Sequence, residues 1–170
     1  MIQKPEPSEY NSFYQPYVSQ IETNDLVSVL KAQLATTESF FQGLSEDQGA
    51  FKYAEGKWSI KEVLNHINDI ERIFSYRAMC IARGEQQSLP GMDQDVYQMN
   101  SGAESRTLSS LVEEFVAIRS ASILLFAYMS EADSLKLGEA SGAKISVRAL
   151  AALIAGHSAH HIEVVKQKYL

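Results

Sequence analysis

The chain has 170 residues, 45% of them apolar and 21% charged, with nine glycines and four prolines. That composition excludes disordered and collagen-like chains and reads as one globular domain over residues 1–170, large enough to need no disulfides, which its single cysteine, Cys80, could not supply. Fifteen basic against twenty-one acidic residues give a net charge of −6, the wrong sign for tracking a phosphate backbone, so no nucleic-acid partner is expected.

Helical periodicity is the feature that recurs along the chain. Over residues 24–44, Leu26, Val27, Leu30, Leu34, Phe41 and Leu44 form one apolar stripe. A second helix opens at Ser59, which can cap it while Glu62 returns a bond to the Ser59 amide. It runs through Ile60, Val63, Leu64, Ile67, Ile70, Phe74 and Ile81 to Gly84. The third starts near Thr107 and carries Leu108, Leu111, Val112, Phe115, Ile118, Leu125, Phe126 and Met129. The fourth starts near Ser146 and carries Val147, Leu150, Leu153, Ile154, Val164 and Val165.

Between the second and third helices, residues 85–106 are polar and glutamine-rich, with Pro90-Gly91 as a turn signal. A loop that long is functional or mobile more often than not. Residues 131–145, with Gly138 and Gly142, suit a turn or hairpin, and residues 1–22 read as an extended aromatic arm carrying Tyr10, Phe13, Tyr14 and Tyr17. The pattern predicts an all-α four-helix bundle with a long crossover loop and an N-terminal arm. No run approaches the ~18 apolar residues of a membrane span, and residues 1–7 lack the apolar core of a signal peptide. A cytoplasmic protein without a membrane partner is expected.

Only four histidines occur, His66, His157, His160 and His161. His157 and His161 differ by about 40° around the fourth helix and stand one turn apart, inside its apolar stripe. His160 lies about 60° to the other side, at the margin. His66 lies at the edge of the stripe on the second helix and can also look inward. Three neutral imidazoles converging in an apolar interior cannot all find carbonyl partners, and a divalent cation satisfies them together. Three nitrogen donors suit zinc, nickel, iron or copper better than magnesium or calcium, and they leave coordination positions open. A bland alternative stands beside this reading: H-x-x-x-H arises by chance, and the rings can be core histidines bonded separately. Cys80 lies about 21 Å along the helix from His66 and reads as a small core residue. Asp69 can orient the His66 ring or be a solvated charge. Glu71, Arg77, Glu113, Glu114 and Arg119 read as exposed faces or intrahelical pairs, and Trp58 as packing where the second helix begins.

Four stretches taken in order, 57–72 (KWSIKEVLNHINDIER), 83–84 (RG), 89–95 (LPGMDQD) and 155–162 (AGHSAHHI) running on to Tyr169 and Leu170, make the chain similar to the DinB/YfiT-like superfamily of metalloproteins (DinB_2 type) over essentially its whole length. The resemblance implies an up-down-down-up bundle, a homodimer in many members, and a divalent metal, nickel or zinc most often, with iron and manganese as further candidates. By that analogy His66, His157 and His161 are the metal ligands. Among the members it implies are enzymes that use low-molecular-weight thiols such as bacillithiol or mycothiol for transfer or isomerisation.

Three readings of function follow. One is a metal-dependent enzyme on a small-molecule substrate, a thiol S-transferase in which a bound thiol loses its proton to become the nucleophile, or a hydrolase in which water does. The loop 85–106 is then the candidate cover. No catalytic residue is assigned; Asp69, His160 and Glu163 are the only nearby proton-transfer candidates, with Asp69 and His160 the choices for residues supporting the ligands. The second reading is a metal-binding bundle without catalysis. The third is an interaction module with satisfied core histidines and no ion.

Overall fold

The computed structural model describes residues 1–170. In chain order its helices are α1 (Gln15–Val18), α2 (Leu26–Gln42), α3 (Glu46–Ala50), α4 (Ile60–Ala82), α5 (Gln94–Met99), α6 (Leu108–Ala127), α7 (Glu131–Ser134) and α8 (Val147–Lys168). A two-stranded hairpin, β1 (Leu137–Ala140) and β2 (Ala143–Ser146), precedes α8. The four long helices begin where their capping residues dictate. Asp25, Ser59, Thr107 and Ser146 each accept a hydrogen bond from a first-turn amide. At α4 the capping box closes in both directions: Ser59 Oγ accepts from the Glu62 amide at 3.2 Å, and Glu62 accepts from the Ser59 amide at 2.7 Å.

Side-chain pairings give the helix directions. Gln33 and Phe40 of α2 meet Ala155 and Lys166 of α8, so those two run parallel. Asn68 and Glu71 of α4 meet Leu111 and Arg119 of α6, again parallel. His66 near the start of α4 meets His157 and His161 well along α8, and Ile81 near its end meets Gly138 just before α8, so α4 and α8 are antiparallel. The result is an up-down-down-up bundle in which α4 packs between α6 and α8.

This topology explains the long connection. Because α4 and α6 are parallel, the chain must return along the bundle by the length of α4, ~34 Å for its 23 residues. The return path is stitched to the hairpin: the Leu89 amide donates to Glu139 O at 2.9 Å, and the Ser141 amide donates to Leu89 O at 3.1 Å. The segment read from sequence as loop contains α5, whose N-cap Asp93 accepts from Asp95 and Val96. It escapes periodicity because it is six residues long and its Val96, Tyr97 and Met99 are exposed. Ser141 (φ 54°) and Gly142 (φ 73°) make the hairpin turn with two left-handed residues, which suits the twist of the strands. The N-terminal arm is not extended. It forms 3-10 turns at Pro7–Glu9 and Ser12–Tyr14 and then α1, which lies on α8. Gly156 makes that contact feasible, since a Cβ there would stand 2.2 Å from the Tyr17 carbonyl oxygen.

One polar chain crosses the interior. Arg119 of α6, fully buried, donates from Nε to Glu71 of α4 at 2.8 and 3.0 Å and from Nη1 to Gln33 of α2 at 3.1 Å. Gln33 in turn donates to Ala155 O of α8 at 3.0 Å. These contacts overturn the reading of Glu71 and Arg119 as exposed or paired within their own helices: each is buried and finds its partner on another helix, which a single-helix wheel does not contain. Removing one member strands a buried charge, so Glu71→Ala is expected to lower the urea-unfolding free energy by ~3–5 kcal/mol, whereas Glu71→Leu with Arg119→Met recovers most of that loss.

Candidate metal centre

His66 is held on α4 between Leu64 and Ile67 of one apolar cluster and Ile70 of the other. Antiparallel packing brings α8 across it at the turn carrying His157 and His161. The ring centroids of His66, His157 and His161 lie 4.9, 4.9 and 4.5 Å apart, and one nitrogen from each falls within 4.8 Å of the other two. His66 and His157 are buried and His161 is half-buried. Their one hydrogen bond joins the Nε2 atoms of His66 and His157 at 3.0 Å; no carbonyl or carboxylate accepts from any of the three.

Around the triad stand aromatic rings. Trp58 packs on His66 with centroids 4.9 Å apart, and Tyr17 of the arm lies 5.7 Å from His157. His160 stands edge-on to both Tyr17 and His161, each at 5.2 Å, outside the converging nitrogens. Asp69 accepts from Asn65 at 2.8 Å and faces Arg72 at 3.8 Å, both on its own helix, and makes no bond to His66. Burial pushes its carboxyl above the usual carboxylate range. Glu163 is exposed and accepts from Gln167.

Burial also keeps the imidazoles neutral. It pulls His66 down to about 4. It pulls His161 to about 3, with help from the rings of His66 and His160, and His157 well below the ordinary value, with help from His161, His66 and His160. Neutral nitrogens whose lone pairs have no protein donor outside the triad fit a soft or borderline divalent ion. In a tetrahedral site with ~2.1 Å bonds the donor atoms stand ~3.4 Å apart, and the three nitrogens here lie within 4.8 Å of one another.

A cleft of about 310 Å³ opens beside the triad, and His66 and His157 form part of its wall. Phe13, Tyr14 and Tyr17 of the arm line it on one side and Met92 and Gln94 of the crossover segment on another, so the segment expected to cover the site does border it. Sequence reading missed Tyr17, which lies far from the histidines in the chain, and Arg77, which was assigned to the exposed face yet is buried and lines the same cleft. A signal for Arg77 existed: eleven residues after His66, it returns to within about 20° of it around α4.

The profile of the DinB superfamily matches residues 30–165, and the chain belongs to that superfamily. Among solved structures it is similar to YfiT from Bacillus subtilis, described as a probable metal-dependent hydrolase with an unusual four-helix bundle topology. The TM-score is 0.76 at 16% identity, covering 96% of this chain and 93% of that one. A search of curated proteins gives no match. No helix is long and apolar enough to cross a membrane.

The depressed histidines carry a pH dependence. Unfolded, each takes up a proton near 6.5; folded, His66 refuses it until about 4 and His161 until about 3. The unfolded state therefore binds more protons below 6.5, and stability present above that pH is lost progressively as pH falls. Chelator-treated protein is expected to lose melting temperature between pH 6.5 and 5, above the range where unperturbed carboxylates titrate, and His66→Leu to flatten that loss in thermal scans.

Proposed function

We propose that the protein is a metal-dependent enzyme acting on a small molecule, with His66, His157 and His161 as the three protein ligands of one divalent ion, nickel or zinc in preference to iron or manganese. The observation that carries this reading is the combination of three neutral, converging nitrogens with an open cleft on one side of them. A structural site would be closed by a fourth protein ligand, and no fourth His, Cys or carboxylate joins this group. Held by His66, His157 and His161, a divalent ion would supply Lewis acidity, lowering the pKa of a bound water or thiol toward neutrality.

The chain's own residues do the rest. Apolar neighbours bury the rings on the bundle side and keep them deprotonated. Trp58 and Tyr17 fix the rings of His66 and His157 by packing, where most metal sites use hydrogen bonds from carboxylates. Phe13 and Tyr14 wall off the substrate side. No carboxylate stands against the triad to act as a general base, since Asp69 is engaged by Asn65 and Arg72 and Glu163 is exposed. That arrangement supports chemistry in which the nucleophile's proton is lost because of the ion itself, a requirement that both a thiol S-transferase and a hydrolase can meet. The description of YfiT as a probable metal-dependent hydrolase supports the second.

Two measurements test this. Untagged protein is expected to hold about one ion per chain, and His161→Ala less than about 0.1, with the helical circular dichroism unchanged; a variant that kept stoichiometric metal would refute the ligand set. Nickel- and zinc-loaded protein is expected to turn over either an aryl halide with an added thiol or an activated ester without one, and chelation to abolish the activity. Turnover that survived complete removal of the ion would overturn the reading.

A further inference from the structure

The cleft holds a second polar feature that the metal reading does not use. Arg77 of α4 is 4% exposed, as buried as His66, yet it takes part in no ion pair. The other deeply buried guanidinium, Arg119, is neutralised by Glu71, and the largely buried Arg148 is neutralised by Glu9. Arg77 spends only one of its three nitrogens, Nη2, which donates to Pro90 O at 2.6 Å and to Ser141 Oγ at 3.1 Å. Its Nε and Nη1 donate to no protein acceptor. Arg77 borders both this cleft and a smaller pocket of about 220 Å³ on its other side, walled by Ile73, Tyr76, Pro90 and Tyr97, and no aspartate or glutamate lines either.

A buried guanidinium without a counterion is costly, and burial already presses against its charge. The surroundings hold it in place for something else. Pro90 belongs to the crossover segment and Ser141 to the hairpin turn, where Ser141 sits in a left-handed conformation (φ 54°) that side-chain-bearing residues rarely adopt. Phe74, one turn back, lies under the guanidinium at 5.8 Å, so Arg77 leans along α4 toward the histidines. His66 and Arg77 are three turns apart on nearly the same face, ~16 Å between Cα positions, and that lean shortens the gap between the charged head and the triad. The wall between them is apolar and aromatic: Ile70, Phe74, Tyr14 and Leu153.

We propose that Arg77 is the anchor for an oxyanion on the substrate, so that the substrate class is a small aryl or alkyl acid, a carboxylate or phosphate at one end and the reacting group at the other. The two free donors match a planar or tetrahedral oxyanion, the apolar stretch takes the spacer, and the far end lies against His66 and His157. This rests on the reading of the triad as the reactive centre, since that is what gives the far end its role.

The test is titration calorimetry with phenylacetate, phenyl phosphate and the neutral isostere phenylacetamide, on protein as purified and again after chelation. Arg77→Lys and Arg77→Gln are measured beside the wild type, with ion content determined for each. The expected result is a preference of ~10-fold or more for an acid over the amide, present with and without the ion, kept in part by Lys and reduced to within about 2-fold by Gln, with ion content unchanged. Tighter binding of phenylacetate assigns the carboxylate source, and tighter binding of phenyl phosphate the phosphate source. Equal binding of acid and amide by the wild type overturns the proposal. So does an Arg77→Gln variant that weakens all three probes alike, which would make Arg77 a clamp for Pro90 and Ser141 only. So does a preference that follows the ion rather than Arg77. Stoichiometric metal without acid preference removes this proposal and leaves the metal reading standing; acid preference in a protein that takes up no metal does the reverse.

Discussion

The polar chain Glu71–Arg119–Gln33–Ala155 touches all four long helices, and the rest of the molecule depends on the registers it sets. Apolar side chains attract without direction and tolerate small slides of one helix along another. A fully buried guanidinium does not, because a slide of one turn would leave Arg119, Glu71 or both without partners. That requirement holds α4 and α6 parallel at a defined height and ties α8 to α2 two residues before His157. Since His66 lies little more than one turn before Glu71, the same bonds that lock the bundle place His66 against His157 and His161.

Topology supplies the second constraint. Parallel α4 and α6 need a long return path, and in this chain the path is used: it carries Pro90 to Arg77, bonds to the hairpin through Leu89, and brings Met92 and Gln94 to the cleft. The N-terminal arm closes the other side, with Gly156 admitting the Tyr17 backbone so closely that its ring reaches both His157 and His160. The bundle brings the three imidazoles together, and the irregular segments decide what can reach them. This is the division of labour expected where chemistry is placed on rigid helices and access on loops.

Electrostatically the site is divided in two. At the triad, desolvation removes positive charge and leaves lone pairs free. At Arg77 the charge persists, because a guanidinium holds its proton where an imidazole does not. One end of the cleft therefore offers electron pairs to a cation while the other offers donors to an anion, an arrangement suited to a substrate with two distinct ends.

Much of this was legible in the residues. The Ser59–Glu62 capping box places one helix start, because capping is a local bond between neighbours in the chain, and the apolar stripes place two more near Thr107 and Ser146, where the structure shows caps as well. The wheel positions of His157 and His161 put them on one inward face, because helix geometry is local too. What local geometry does not contain is a partner. Whether His66 faced α8 or solvent, whether Glu71 and Arg119 were surface charges or a buried pair, and whether Arg77 belonged to the exterior or to the cleft all turned on which helices pack together and at what height. The six residues of α5 and the turns of the arm were invisible for a related reason: short elements are held by contacts with the bundle rather than by a stripe of their own. Periodicity and capping thus determined the helices and nominated the histidines. Packing across the bundle decided which polar groups meet, because a buried charge or lone pair is satisfied only by what the fold brings to it.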